Sequence, residues 1–198
     1  MDSSHWMSWN LLLAIVPLGL SLLLFQGDHS RSLAWWLGVV GFVIFLPNAP
    51  YVLTDVIHLV AEIQRNQSLL INTLIIIPKY FVFMLIGIQA YVLSLLRLGQ
   101  WLTRRQLSHR IGFIEFLLHG LSAIGVYLGR FERFNSWDLL TRPLEVVSST
   151  IAHLSDPSAQ RFILLMFGVT SGSYWVLKQI TLALQLRLRQ VNESSPTS

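Results

Sequence analysis

The sequence predicts an all-α fold: a polytopic transmembrane helix bundle of about five spans, with short interfacial or re-entrant helices beside them. Three observations carry this. Hydrophobic residues fill 53% of the 198 positions and charged residues only 12%, against about 25% charged in a soluble domain. Mean hydropathy is +0.56. Five apolar stretches approach the ~20 helical residues that cross a hydrocarbon core about 30 Å thick. The length suits one membrane domain, residues 1–190, followed by a polar tail, VNESSPTS (191–198), read as disordered.

The first stretch is Trp9–Phe25, interrupted by Pro17. Asp2 and the absence of Lys or Arg before it make a poor signal-peptide start, so it reads as a retained span. The second, Leu33–Leu46, is 14 residues long and reaches only about 21 Å. Two readings stay open. Either the span ends at Pro47, or it continues to Val60, stopping near Leu46 and restarting near Pro50 with Asn48 or Ala49 as cap. Broken backbone at membrane depth is tolerated only inside protein or beside water, and such breaks mark binding sites in many transporters. The third stretch, Leu69–Leu96, contains Pro78 and Lys79. It reads as a span from Tyr80, with Lys79 snorkelling at its start and Leu69–Ile77 as a short re-entrant or interfacial helix. Ile111–Leu128 and Phe162–Leu186 are the fourth and fifth. Between them, apolar positions at Leu140, Leu144, Val147, Ile151 and Leu154 predict an amphipathic surface helix running into an Asp156-Pro157-Ser158 cap.

Charge sets orientation and excludes some classes of function. The net charge is +4, but the basic residues border apolar runs instead of lining a helix face with stacking aromatics, which argues against nucleic acid and for membrane lipid as partner. Arg104, Arg105 and Arg110 crowd one short loop, with Arg31, Arg97, Lys178, Arg187 and Arg189 on the same side. This places the N-terminus outside and the C-terminus in the cytoplasm. The chain has no cysteine, so disulfides, thiolate zinc sites and a cysteine nucleophile are excluded. No metal site is predicted, and neither cofactor nor protein partners are legible.

Polar residues gather in three places. In a helix from Pro50 to Glu62, Tyr51, Asp55, His58 and Glu62 form one stripe with Thr54 at its edge. Either the stripe faces water at the interface, or Asp55 and His58 face a wet cavity, where they are the candidate acid and base. The second group is YLGRFERFNSWD, Tyr127–Asp138, in which Arg130 and Arg133 can share one face beside anchoring aromatics. Two crossings separate it from the first group, so both lie on one side of the bundle. An arginine paired with Asp55 would supply the partner that a desolvated carboxylate needs. The third is Glu115, His119 and Ser122, a stripe inside the fourth span; Glu115 is placed near the interface and His119 deeper. Gly125 and Gly129 fit a small-x-x-x-small packing pattern.

FLPNAPY with Thr54-Asp55-Val56-Ile57-His58-Leu59, followed by Leu128–Asp138, resembles the two signatures of the bacterial membrane family called domain of unknown function 1361. The likeness covers Trp36–Asp138. It implies a multi-spanning protein of the bacterial cell membrane, with Asn48, Tyr51, Thr54, Asp55, His58, Arg130, Arg133, Asn135 and Asp138 as its distinctive polar residues. It assigns none of them a catalytic role. Three readings of function follow: transport or ligand binding at a polar site near the extracytoplasmic face, an enzyme acting on a lipid or lipid-linked substrate, and a non-catalytic scaffold subunit.

Overall fold

A computed structural model describes residues 3–27 and 32–194; Arg31, counted above for orientation, lies outside them. Among the described residues every regular element is helical. In chain order they are α1 (Ser3–Leu24), α2 (Leu33–Phe45), the single turn α3 (Asn48–Tyr51), a 3₁₀ turn (Val52–Asp55), α4 (Val56–Arg65), the short α5 (Leu69–Ile71), a π turn (Asn72–Ile76), α6 (Ile77–Arg104), a second 3₁₀ turn (Ser108–Arg110), α7 (Ile111–Phe131), α8 (Asp138–Thr141), α9 (Pro143–Leu154) and α10 (Pro157–Ser194).

The core is built around α6. Tyr80, Phe83, Gly87, Tyr91, Ser94 and Leu95 recur at helical spacing and are buried, with α1 and α10 packed on α6 and α2 packed on α1. The opposite face, Phe81, Val82, Leu85 and Ile86, is exposed and apolar. So are Leu12 and Ile15 on α1, Leu37 and Val40 on α2, and Phe113, Phe116 and Leu117 on α7. Such broad apolar exposure suits lipid, not water. Four helical runs are long and apolar enough to cross a membrane: His5–Leu24, Leu33–Arg65, Leu69–Arg104 and Ser108–Phe131. The expected fifth span lies inside α10. That helix packs on α7 and α6, but Thr170 to Ser173 and Lys178-Gln179 dilute its apolar run, so it is not among the four.

At the proline motif α2 stops at Phe45, close to the expected Leu46, and the run continues to Arg65, but with Pro47 and not Asn48 or Ala49 at the cap. Leu46, Pro47, Tyr51, Val52, Asp55 and Val56 all keep right-handed helical backbone. Helix resumes at Asn48, two residues before Pro50, with Pro47 as the flanking residue. Both prolines then occupy first-turn positions, where no intrahelical N–H is required. The Asn48 side chain is therefore free of capping; its amide donates to the Phe45 carbonyl (2.9 Å) instead. The third stretch also differs from expectation. Leu69–Arg104 is one continuous helical run, not a re-entrant helix plus a span. Pro78 has no N–H to offer, and the ladder absorbs this in the π turn before it, where Ile77 donates to Asn72 five residues back.

Two glycines set the close approaches at the motif. A Cβ on Gly125 would lie 2.6 Å from the Pro47 ring, and one on Gly87 would meet the Val52 side chain and, at 3.1 Å, the Ala49 carbonyl. Both α6 and α7 can therefore press against the kinked segment. The far end of the bundle carries an aromatic and basic rim. Trp35 stacks on Trp101 with centroids 5.4 Å apart, the Arg105 guanidinium lies 4.7 Å from the Trp101 ring, and Arg104 donates to the Phe25 carbonyl (2.7 Å).

Candidate functional site

The two signature segments converge at the other end. The change from α-type to 3₁₀ bonding over Val52–Asp55 rotates Asp55 inward, where it is completely buried. Its carboxylate accepts from Arg130 Nη1 at Oδ1 (3.4 Å) and from the Asn10 amide at Oδ2 (3.2 Å). Arg130 is held on all sides. Its Nη2 donates to the Thr54 carbonyl (3.1 Å), its Nη1 to the Tyr51 hydroxyl (3.4 Å), and its guanidinium lies 5.8 Å from the Tyr51 ring centre. Thr54 is buried and turns its hydroxyl back to the Tyr51 carbonyl (2.7 Å). One carboxylate thus ties together α1, the 3₁₀ turn and α7.

The remaining residues of the expected stripe are less deeply set than Asp55 and meet other partners. His58 is half exposed, its Nε2 3.8 Å from Asp55 Oδ1 and its ring packed on Trp6 at 4.7 Å. Glu62, one turn further along α4, accepts from Lys79 Nζ (2.8 Å) and the Tyr80 hydroxyl (2.8 Å). Lys79 is therefore a paired cation, not a lone snorkelling one.

After α7 the chain reverses through Arg133, whose φ of 58° is left-handed. Arg133 is exposed and forms no ion pair among the described residues, so the two arginines do not act as one face. The following turn, Asn135–Asp138, is self-contained. Asp138 Oδ2 accepts from the Asn135 N–H (2.6 Å), its Oδ1 accepts from Arg142 (2.9 Å), and Asn135 O accepts from the Asp138 N–H (2.9 Å). The turn is docked on the proline motif by Ser136, whose hydroxyl accepts from the Asn48 amide (2.7 Å). Between these segments lies a cleft of about 250 Å³ lined by Asn10, Asn48, Tyr51, Arg133, Asn135 and Ser136 with apolar neighbours. Asp55 and His58 do not line it.

The Asn135 N–H and the Arg142 guanidinium hold the Asp138 carboxyl below its ordinary value of 3.8, and Arg142 is raised in turn, chiefly by Asp138. A depressed carboxylate stabilises the fold at pH values above its unfolded pKa, and that contribution disappears as pH falls through the folded value. The turn is therefore expected to loosen only below about pH 4. A nitroxide on a cysteine introduced at exposed position 140 should gain mobility in that range. With Asp138→Asn it should be mobile already at neutral pH and respond no further to acid.

A second polar group links α7 to α6 and α10. Glu115 accepts from Lys178 (2.7 Å) and from the Tyr174 hydroxyl, both on α10, and lines a recess with Gln26, Arg97 and Arg104. His119 is buried, with Nδ1 2.8 Å from the Tyr91 hydroxyl, which also donates to Ser122 (3.3 Å). Sequence reading missed Asn10, Tyr91, Tyr174 and the Glu62–Lys79 pair. A lone Asn in an apolar run was the available signal for the first. The others lie on separate helices with no shared spacing to reveal them.

Fold and site together define an all-helical membrane protein whose helices are tied by buried charge pairs. The model of the family described as Protein of unknown function (DUF1361) matches residues 9–172, and the chain belongs to that family. No curated protein and no solved structure matches it.

Proposed function

We propose that this is a multi-pass protein of the bacterial cell membrane that binds a ligand, for transport or retention, in the cleft between the proline motif and the Asn135–Asp138 turn. The cleft sits at the extracytoplasmic face, with the basic α6–α7 rim in the cytoplasm and α10 as a fifth crossing. The observation that carries this reading is that both signature segments line one polar recess beside a charge pair that fixes their spacing. Recesses with a few convergent polar groups are the usual places for ligands. The Asp55–Arg130 pair itself acts as a lock, which is the part of the scaffold reading that the geometry favours. An acid–base role for Asp55 and His58 draws less support, because the carboxylate is sealed from the cleft.

Native mass spectrometry of the full chain extracted from its membrane tests the proposal. The wild-type protein should carry a non-protein adduct that Ser136→Trp, which fills the cleft, lacks. Equal adduct loads on a folded variant and the wild type would overturn it.

A further inference from the structure

The cleft is half of a larger feature. An apolar groove of about 380 Å³ adjoins it, and the two share Ile44, Pro47, Gly125, Leu128, Leu139 and Val146 as common wall. The groove extends between α2, α7 and α9, past Val43, Leu121, Val147 and Ile151. It offers almost nothing that can hydrogen-bond, whereas the cleft carries the Arg133 side chain, the Asn135 amide and the Ser136 hydroxyl.

The charges around the cleft are matched with one exception. Arg130 pairs with Asp55, Arg142 with Asp138 and Glu145, and Glu132 with His153 (3.1 Å). Arg133 lines the cleft and has no carboxylate among the described residues. The reversal after α7, where the Phe134 N–H reaches back to the Leu128 carbonyl (3.3 Å), uses a left-handed residue, as Gln106 does after α6. At Arg133 this turn sets the side chain beside the recess.

Resting on the reading that the cleft binds a ligand, we infer that the ligand is a membrane lipid with an anionic phosphate head. The phosphate sits against Arg133 with the Asn135 amide and the Ser136 hydroxyl beside it, and an acyl chain lies in the groove. A guanidinium offers paired donors suited to phosphate oxygens. A chain in the groove exchanges one apolar surrounding for another, so selectivity comes from the head.

Phosphatidylglycerol with a diazirine in its acyl chain, incorporated with the full protein into nanodiscs, tests this. Cross-links should map to residues 121–128 and 139–151. Arg133→Gly, which relieves the backbone, should reduce them several-fold, Arg133→Lys should retain most of them, and Val147→Trp should block them. The equivalent phosphatidylcholine probe should label the groove several-fold less. Equal labelling by the two lipids, or undiminished labelling of Arg133→Gly, overturns the assignment. Glycerol phosphate separates the two proposals. If it protects a cysteine introduced at position 136 from maleimide while the lipid leaves the groove unlabelled, the cleft binds a ligand but not a lipid. If neither probe engages, both readings fall.

Discussion

Replacing Arg130 by methionine should destabilise the folded chain by about 3–5 kcal/mol, because it leaves the Asp55 carboxylate buried with only the Asn10 amide bonded to it and the half-exposed His58 ring 3.8 Å away. That is a large share of the roughly 5–15 kcal/mol by which folded proteins exceed their unfolded states. The double replacement Asp55→Asn with Arg130→Met should recover most of the loss, since the cost arises from an uncompensated charge and not from a missing attraction. Arg130→Lys should fall between, because a single ammonium cannot reach the Thr54 carbonyl, the Tyr51 hydroxyl and Asp55 together. Unfolding by SDS in mixed micelles measures all four proteins. A loss under about 1 kcal/mol for Arg130→Met, the value expected of an exposed pair, would show that the clamp is solvated and the convergence of the two segments incidental.

That convergence could be read before any coordinates, and the reason is topological. Two crossings separate the segment after α2 from the segment after α7, so they share a face whichever way the chain is inserted. Burial of Asp55 then calls for a cation, and Arg130 or Arg133 was at hand. What sequence could not resolve was which one. The choice depends on backbone conformation at the end of α7, where Arg130 is still helical and points inward while Arg133 has passed into the left-handed region. The spacing of Asp55, His58 and Glu62 did not show how far each is buried or which cation meets it: Asp55 takes Arg130 and Glu62 takes Lys79. The π turn before α6 misled. Pro78 and Lys79 looked like a break in the span, yet one wide turn absorbs the proline, and Glu62 from the neighbouring hairpin arm neutralises the lysine. Local irregularities in winding decide these cases, and they depend on partners that lie far away in sequence.

The charge pair between α7 and α10 should rank next to the clamp. Lys178→Met should lower stability by about 1–3 kcal/mol, leaving the partly buried Glu115 with the Tyr174 hydroxyl as its remaining partner. Glu115→Gln together with Lys178→Met should restore much of it. Here the pair also bears on how α10 takes its place. Alone among the long helices it falls short of the apolar length of a span, and its lysine would be costly to leave in lipid. Glu115 on α7 supplies the counter-charge, so the polar stretch of α10 is tolerated only while it faces α7. Spin labels at exposed positions 113 and 175 report this directly. Their distance distribution should be narrow in the wild-type protein, broad in Lys178→Met because a stranded carboxylate favours separation toward water, and narrow again in the double variant. A distribution unchanged by Lys178→Met would mean that apolar packing alone holds α10, and that its polar residues are passengers in the interface.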